Sequence, residues 1–185
     1  TKFLLVAMSL FHLYAAVDIV PANVLRPVHV GWMLLLIFLL VPVAPRFRNR
    51  LMWWDVACAL LGVATIAYLL SGGDEFWDLN TTPSSSDVFF GVAFVLLVLE
   101  ACRRTSGWIM VIVISLFLAY AFAGPWLPGQ WAHRGYDVDG MTGFLYQTLE
   151  GIFGTAVDVS STLIILFTIY GAFLQLSGAG KFFLD

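Results

Sequence analysis

Residues 107–124 read GWIMVIVISLFLAYAFAG, a stretch without a charge that is closed by Pro125 and Pro128. At 1.5 Å per residue a helix of this length covers about 27 Å, close to the hydrocarbon thickness of a bilayer. The stretch is therefore read as a membrane span, and similar runs flank it. Upstream, residues 88–102 form a shorter apolar run that ends at Arg103 and Arg104. Its length suggests either a start inside Ser86 and Asp87 or an untilted helix in thinned lipid. Residues 52–70 form another, closed by Ser71, Gly72 and Gly73. Residues 28–43 end at Pro42 and Pro45, and residues 3–20 end at Pro21 and Asn23. Downstream, a loop from Pro125 to Gly140 carries both charge signs. Residues 141–150 predict a short amphipathic helix with Met141, Phe144, Leu145 and Leu149 on one side. After Gly151 and Gly154 a sixth run reaches Leu176, where Ser177, Gly178, Ala179 and Gly180 break it. The expected fold is an all-α integral membrane protein of about six transmembrane helices plus one interfacial helix.

Composition agrees with this reading. Of 185 residues, 61% are hydrophobic and 11% charged, against roughly 45–50% and about 25% in soluble domains. Too little charge is present to wet a surface, and too much apolar content for disorder. Two cysteines, Cys58 and Cys102, cannot make a disulfide scaffold. A net charge of −3 leaves no basic footprint for nucleic acid. Six spans consume roughly 120 residues, so no separate soluble domain fits. The start at Thr1 and the stop at Asp185, directly after a long apolar helix, suggest a piece of a longer chain.

Basic residues set the expected orientation. With the N-terminus inside and six alternating spans, Lys2, Arg46, Arg48, Arg50, Arg103, Arg104 and Lys181 fall on the cytoplasmic side. Only Arg26 and Arg134 fall outside. The acidic loop 74–87 falls outside as well. Trp53, Trp54 and Trp108 sit near the inner boundary, and Trp77, Trp126 and Trp131 near the outer one, as an aromatic belt predicts.

Each ionisable residue at depth needs a reason. Asp18 is read as reaching the interface at the end of the first helix, and Asp55 as pairing with Arg48 or Arg50. Glu100 lies three and four residues before Arg103 and Arg104, which puts an ion pair on one helical face. Asp158 has two readings: part of a polar path with Ser160, Ser161 and Thr162, or an acid tolerated at a helix N-terminus. His12 is placed mid-depth and His29 at the outer end of the second helix. Their depths differ too much for one haem iron, so each is expected in an ordinary helix interface. Cys58 and Cys102 lie toward the cytoplasmic side, where thiols stay reduced. No metal spacing, nucleophile motif, phosphate loop or dinucleotide fingerprint is present. The chain is therefore expected not to be an enzyme and to carry no cofactor.

The last half carries a further pattern. Its parts are Leu99-Glu100-Ala101-Cys102-Arg103-Arg104-Thr105-Ser106-Gly107-Trp108, Tyr120-Ala121-Phe122-Ala123-Gly124-Pro125-Trp126-Leu127-Pro128-Gly129 with His133-Arg134-Gly135-Tyr136, and Glu150-Gly151-Ile152-Phe153-Gly154. Ser161-Thr162, Tyr170-Gly171-Ala172-Phe173-Leu174 and Ser177-Gly178-Ala179-Gly180-Lys181-Phe182-Phe183 follow. In order and spacing this resembles the fused permease of TRAP (tripartite ATP-independent periplasmic) transporters of the type paired with TAXI solute-binding proteins. The likeness covers roughly residues 99–183; residues 1–98 match in hydropathy and topology.

The resemblance implies the N-terminal part of a secondary transporter in the cell inner membrane. Its coupling ion is typically sodium, and its substrate an organic anion such as a carboxylate. A periplasmic solute-binding protein would deliver the substrate, and the remainder of the large permease subunit would move it by an elevator motion. Residues 1–106 then correspond to a four-helix, small-subunit-like scaffold. Residues 107–185 begin the large permease region, with two helices and an interfacial helix. The family's ion and substrate sites lie further along, so none is assigned here. Glu100, Arg103, Arg104, Gly151 and Gly154 are expected as structural anchors. The outer-loop charges Asp74, Glu75, Asp78, Arg134, Asp137 and Asp139 are candidates for steering the docking partner. The alternative is a small structural or assembly subunit of a membrane complex.

Overall fold

The computed structural model describes residues 2–43, 52–73 and 82–179. Among these residues all regular structure is helical. The helices are α1 (Lys2–Val17), α2 (Ala22–Leu40), α3 (Trp53–Ser71), α4 (Ser85–Ser106), α5 (Trp108–Ala123) and α6 (Val138–Tyr146). A last helix, α7 (Thr155–Ser177), has one π-helical turn at Ser160–Ile164. Five of them, α2, α3, α4, α5 and α7, are long and apolar enough to cross a membrane. The remaining apolar run, residues 3–20, forms α1, whose 16 residues rise about 24 Å. This is the build of an all-α membrane protein.

Three helices start well before the apolar runs predict, each for a local reason. Helix α2 starts at Ala22, because Pro21 supplies an extended entry and the first turns carry Asn23 and Arg26. Helix α4 starts at Ser85, so its 22 residues are long enough to span. There the Asp87 amide donates to Ser84 Oγ at 3.3 Å, and Asp87 Oδ2 accepts from the Ser84 amide at 2.7 Å, a reciprocal cap. Helix α6 occupies Val138–Tyr146, where residues 141–150 were expected. It is capped by Asp137, whose Oδ1 accepts from the Gly140 amide at 2.9 Å. Its buried side is Met141, Thr142 and Tyr146. Phe144, expected on that side, is exposed, and Leu149 lies beyond the helix, packed against the core.

Helices α2, α3 and α4 form the centre. Leu34 and Phe38 of α2 meet Ala59, Ile66 and Leu69 of α3, and Phe94, Leu97 and Ala101 of α4. Tyr146 and Phe153 close one end, with Phe94 between them at ring-centroid distances of 5.3 Å. Helices α1 and α7 pack together beside α2, and α5 follows α4 after Gly107, which takes φ +83°. In lipid, apolar contact alone gives little drive for helices to associate. Small residues and polar bonds decide instead. Gly31 faces Ile66 and Gly62 faces Leu34, which lets α2 and α3 approach closely.

Gly91 is the tightest helix-to-helix approach of this kind. A Cβ there would lie 2.1 Å from Thr142 Cγ2 and 3.2 Å from the Tyr146 ring. Gly91→Ala should therefore cost about 1–3 kcal/mol, read as a lower unfolding temperature in detergent. Adding Thr142→Ser, which removes the clashing methyl, should return part of the loss. A single variant as stable as the parent protein would contradict this packing.

Candidate functional site

Two clusters of polar side chains lie near opposite ends of the bundle. The first joins α2, α3 and α4 at the arginine-bearing end. Arg103 forks onto Glu100, with Nε donating to Oε2 at 2.7 Å and Nη2 to Oε1 at 2.8 Å. Arg104 Nε donates to Glu100 Oε1 at 2.8 Å, and its Nη1 to Asp55 Oδ1 at 2.6 Å. The two guanidiniums also cap the end of α2, with Arg103 donating to Val43 O and Arg104 to Val41 O. Arg104 lies over the Phe38 ring at 4.9 Å, and Arg103 over Trp108 at 5.4 Å. Two cations and two anions leave the cluster neutral, which is how a charge survives at depth.

The Glu100 pairing lies where its spacing placed it. The expected partners of Asp55, Arg48 and Arg50, lie outside the described residues; among these, Asp55 is held by Arg104, 49 residues along the chain. Asp55 Oδ2 also accepts from the Met52 amide at 3.1 Å, so this carboxylate starts α3 and ties it to α4 at once. The side chains of Arg104 and Asp55 are 1% and 3% exposed.

The second cluster joins α1, α2 and α7. His12 and His29 bond to each other, Nε2 to Nδ1, at 2.9 Å. This corrects the expectation that their depths keep them apart. Because α2 begins at Ala22, His29 sits about 10 Å into its helix, level with His12. His12 Nδ1 reaches Met8 O at 2.8 Å, and His29 Nε2 reaches Ser160 Oγ at 3.1 Å on the π turn of α7. One turn before His29, Arg26 Nε donates to Asp158 Oδ1 at 3.0 Å. Its Nη1 reaches Leu149 O and Phe153 O. Asp158 is thus an ion-pair partner. Ser161 and Thr162 donate their hydroxyls to Asp158 O, so they serve the helix they sit on.

Arg26 is the residue that sequence reasoning missed. It reads as an ordinary outer-side charge, yet it ties α2 to the start of α7. A signal was available: an arginine three residues before a histidine, directly ahead of a long apolar run, is itself an intramembrane charge. Asp18, by contrast, is exposed at the end of α1 and bonds locally to Tyr14 Oη at 2.5 Å and to the Ile19 amide.

The glycines expected as anchors lie in the turn between α6 and α7. A Cβ on Gly151 would lie 2.3 Å from Phe144 O and 2.7 Å from Leu145 Cα. The next residue seals the turn, with the Ile152 amide donating to Leu145 O at 3.0 Å. Gly154 is the N-cap of α7 and is less crowded, with Gly151 O at 3.0 Å.

Of the six docking candidates, Asp74, Glu75 and Asp78 lie outside the described residues. Arg134 and Asp137 line one crevice, with His133, Tyr136 and Pro125. Asp139 is exposed on the first turn of α6 and does not line it. His133 holds the crevice in shape: Nδ1 accepts from the Gly135 amide at 3.0 Å and Nε2 faces Tyr120 O at 3.1 Å.

Among the described residues no group of three or more His, Cys, Asp or Glu is placed to hold a metal ion. Cys58 and Cys102 are both free thiols. Comparison with known proteins returns no match to a family model, a curated sequence or a solved structure.

Proposed function

We propose that this chain is the scaffold part of a binding-protein-dependent secondary transporter of the TRAP type. It would sit in the cell inner membrane as six spans with both ends in the cytoplasm. The rest of the large permease subunit would carry the substrate, an organic anion such as a carboxylate, with sodium as the coupling ion. The reading rests on the resemblance over residues 99–183. One observation supports it above others: the split between a locked and an open part. Helices α2, α3 and α4 bury a common core and are tied by an ion cluster. Helix α5 buries none of its side chains and α7 only Ser161, although both are long and apolar enough to cross a membrane. Such helices offer faces to lipid and to further membrane segments, as the first helices of a larger transport region would. The anchors fit the same scheme, since Glu100, Arg103 and Arg104 hold the fixed part and Gly151 and Gly154 turn the chain into α7.

The test is uptake by proteoliposomes that hold the product of the natural reading frame. Radiolabelled carboxylates should accumulate only with an inward sodium gradient and the partner solute-binding protein outside. Charge reversal at Arg134, Asp137 and Asp139 together should lower that uptake severalfold by slowing encounter. Stable co-purification with other membrane subunits, without any uptake, would favour an assembly subunit instead.

A further inference from the structure

We propose that His12, His29 and Ser160 form a membrane-embedded site for a single proton, which joins α1, α2 and α7. The hydrogen-bond chain fixes its own resting state. A carbonyl only accepts, so the Met8 carbonyl at 2.8 Å requires a proton on His12 Nδ1. In a neutral ring His12 Nε2 is then the acceptor. The proton shared across the 2.9 Å contact belongs to His29 Nδ1. That leaves His29 Nε2 as an acceptor for the Ser160 hydroxyl at 3.1 Å. Both rings are neutral and both are Nδ1–H tautomers.

The same geometry has one place for an added proton. It binds His29 Nε2, where Ser160 changes from donor to acceptor by turning its hydroxyl. The freed hydroxyl proton goes to a backbone carbonyl of the preceding turn, as those of Ser161 and Thr162 already do. No bond in the chain is lost, and the His29–Ser160 bond becomes charge-assisted and shorter. The charge then spreads by transfer of the Nδ1 proton from His29 to His12 Nε2, after which His12 is the donor. A second proton has no place, because two N–H groups would face each other across 2.9 Å. The site therefore binds one proton per pair.

The surrounding charges permit this. On α1 the other polar groups near the pair's helix end, Tyr14 and Asp18, bond to each other. On α2 the neighbouring charge is Arg26, and on α7 it is Asp158, and these two neutralise each other. Ser160, the end of the chain, is the first residue of the π turn at Ser160–Ile164. Such turns recur at functional sites. Proton binding thus tightens the joint between α2 and α7. The inference is independent of the transporter reading.

The test is nitrogen-15 spectroscopy of histidine-labelled protein in lipid nanodiscs, with the three histidines assigned by single substitutions. At mildly alkaline pH both His12 and His29 should show the Nδ1–H tautomer, the minor one for free imidazole. On acidification the pair should yield one imidazolium in total. Two imidazoliums, none at any pH at which the fold persists, or Nε2–H tautomers would overturn the proposal. Ser160→Ala supplies a second readout that does not depend on the titration. It should shift the His29 Nε2 resonance to that of an unbonded nitrogen and leave His12 Nδ1 in place. An unchanged His29 Nε2 would remove Ser160 from the site.

Discussion

Replacing Arg104 by alanine should cost about 3–5 kcal/mol, the loss expected when one partner of a buried ion pair is removed. The lost guanidinium holds Asp55 at 2.6 Å, Glu100 at 2.8 Å and the carbonyl of Val41. Asp55, 3% exposed, would keep one backbone amide as its partner among the described residues. Three helix ends would lose their common tie. The expected result is a low yield of monodisperse protein and a markedly lower unfolding temperature in detergent. Arg103→Ala should cost only about 1 kcal/mol, since its guanidinium is more open and lies against Trp108 near the boundary. The double change Asp55→Leu with Arg104→Met should recover most of the loss, because it removes both buried charges and fills their volume. An Arg104→Ala protein with unchanged stability would mean that the cluster does not hold the bundle.

The second large effect is expected at Gly151. Its missing Cβ leaves room for the backbone of Phe144 and Leu145. Backbone atoms cannot step aside as a side-chain tip can, so Gly151→Ala must open the turn between α6 and α7. The cost should reach the upper part of the usual overpacking range, about 3 kcal/mol. The seal between the Ile152 amide and Leu145 O should break with it. Gly154→Ala is the matched control. Its Cβ would meet Gly151 O at 3.0 Å, and Gly154 has negative φ, so the penalty should be clearly smaller. Equal effects at the two glycines would contradict the turn as described.

The helices were legible because a membrane span writes its length into hydropathy. Residues 107–124 needed no partner to be read, and Glu100 with Arg103 and Arg104 needed only helical spacing. What stayed hidden was every tie between helices distant in sequence. Hydropathy stops at Arg26, so it started the second helix late and moved His29 to the surface. Asp158, 132 residues away, together with the carbonyls of Leu149 and Phe153, makes that arginine tolerable inside a helix pair. Asp55 was assigned to the nearest arginines in sequence, and its partner among the described residues comes from α4. Phe144 was placed on a buried face because the start of α6 depends on a single cap at Asp137. No feature of Ser160–Ile164 announces a π turn; its hydroxyls and branched chains also suit an ordinary helix.

The central claim of the proposed transporter reading is that the membrane-embedded charges hold a scaffold and do not carry the transported ion or substrate. The most direct measurement is sodium-driven uptake by the natural protein carrying Asp55→Leu and Arg104→Met, normalised to the amount of folded protein in the proteoliposomes. The account predicts the same uptake per folded molecule as the parent. Uptake lost from a bundle that still folds and still unfolds at the parental temperature would contradict it.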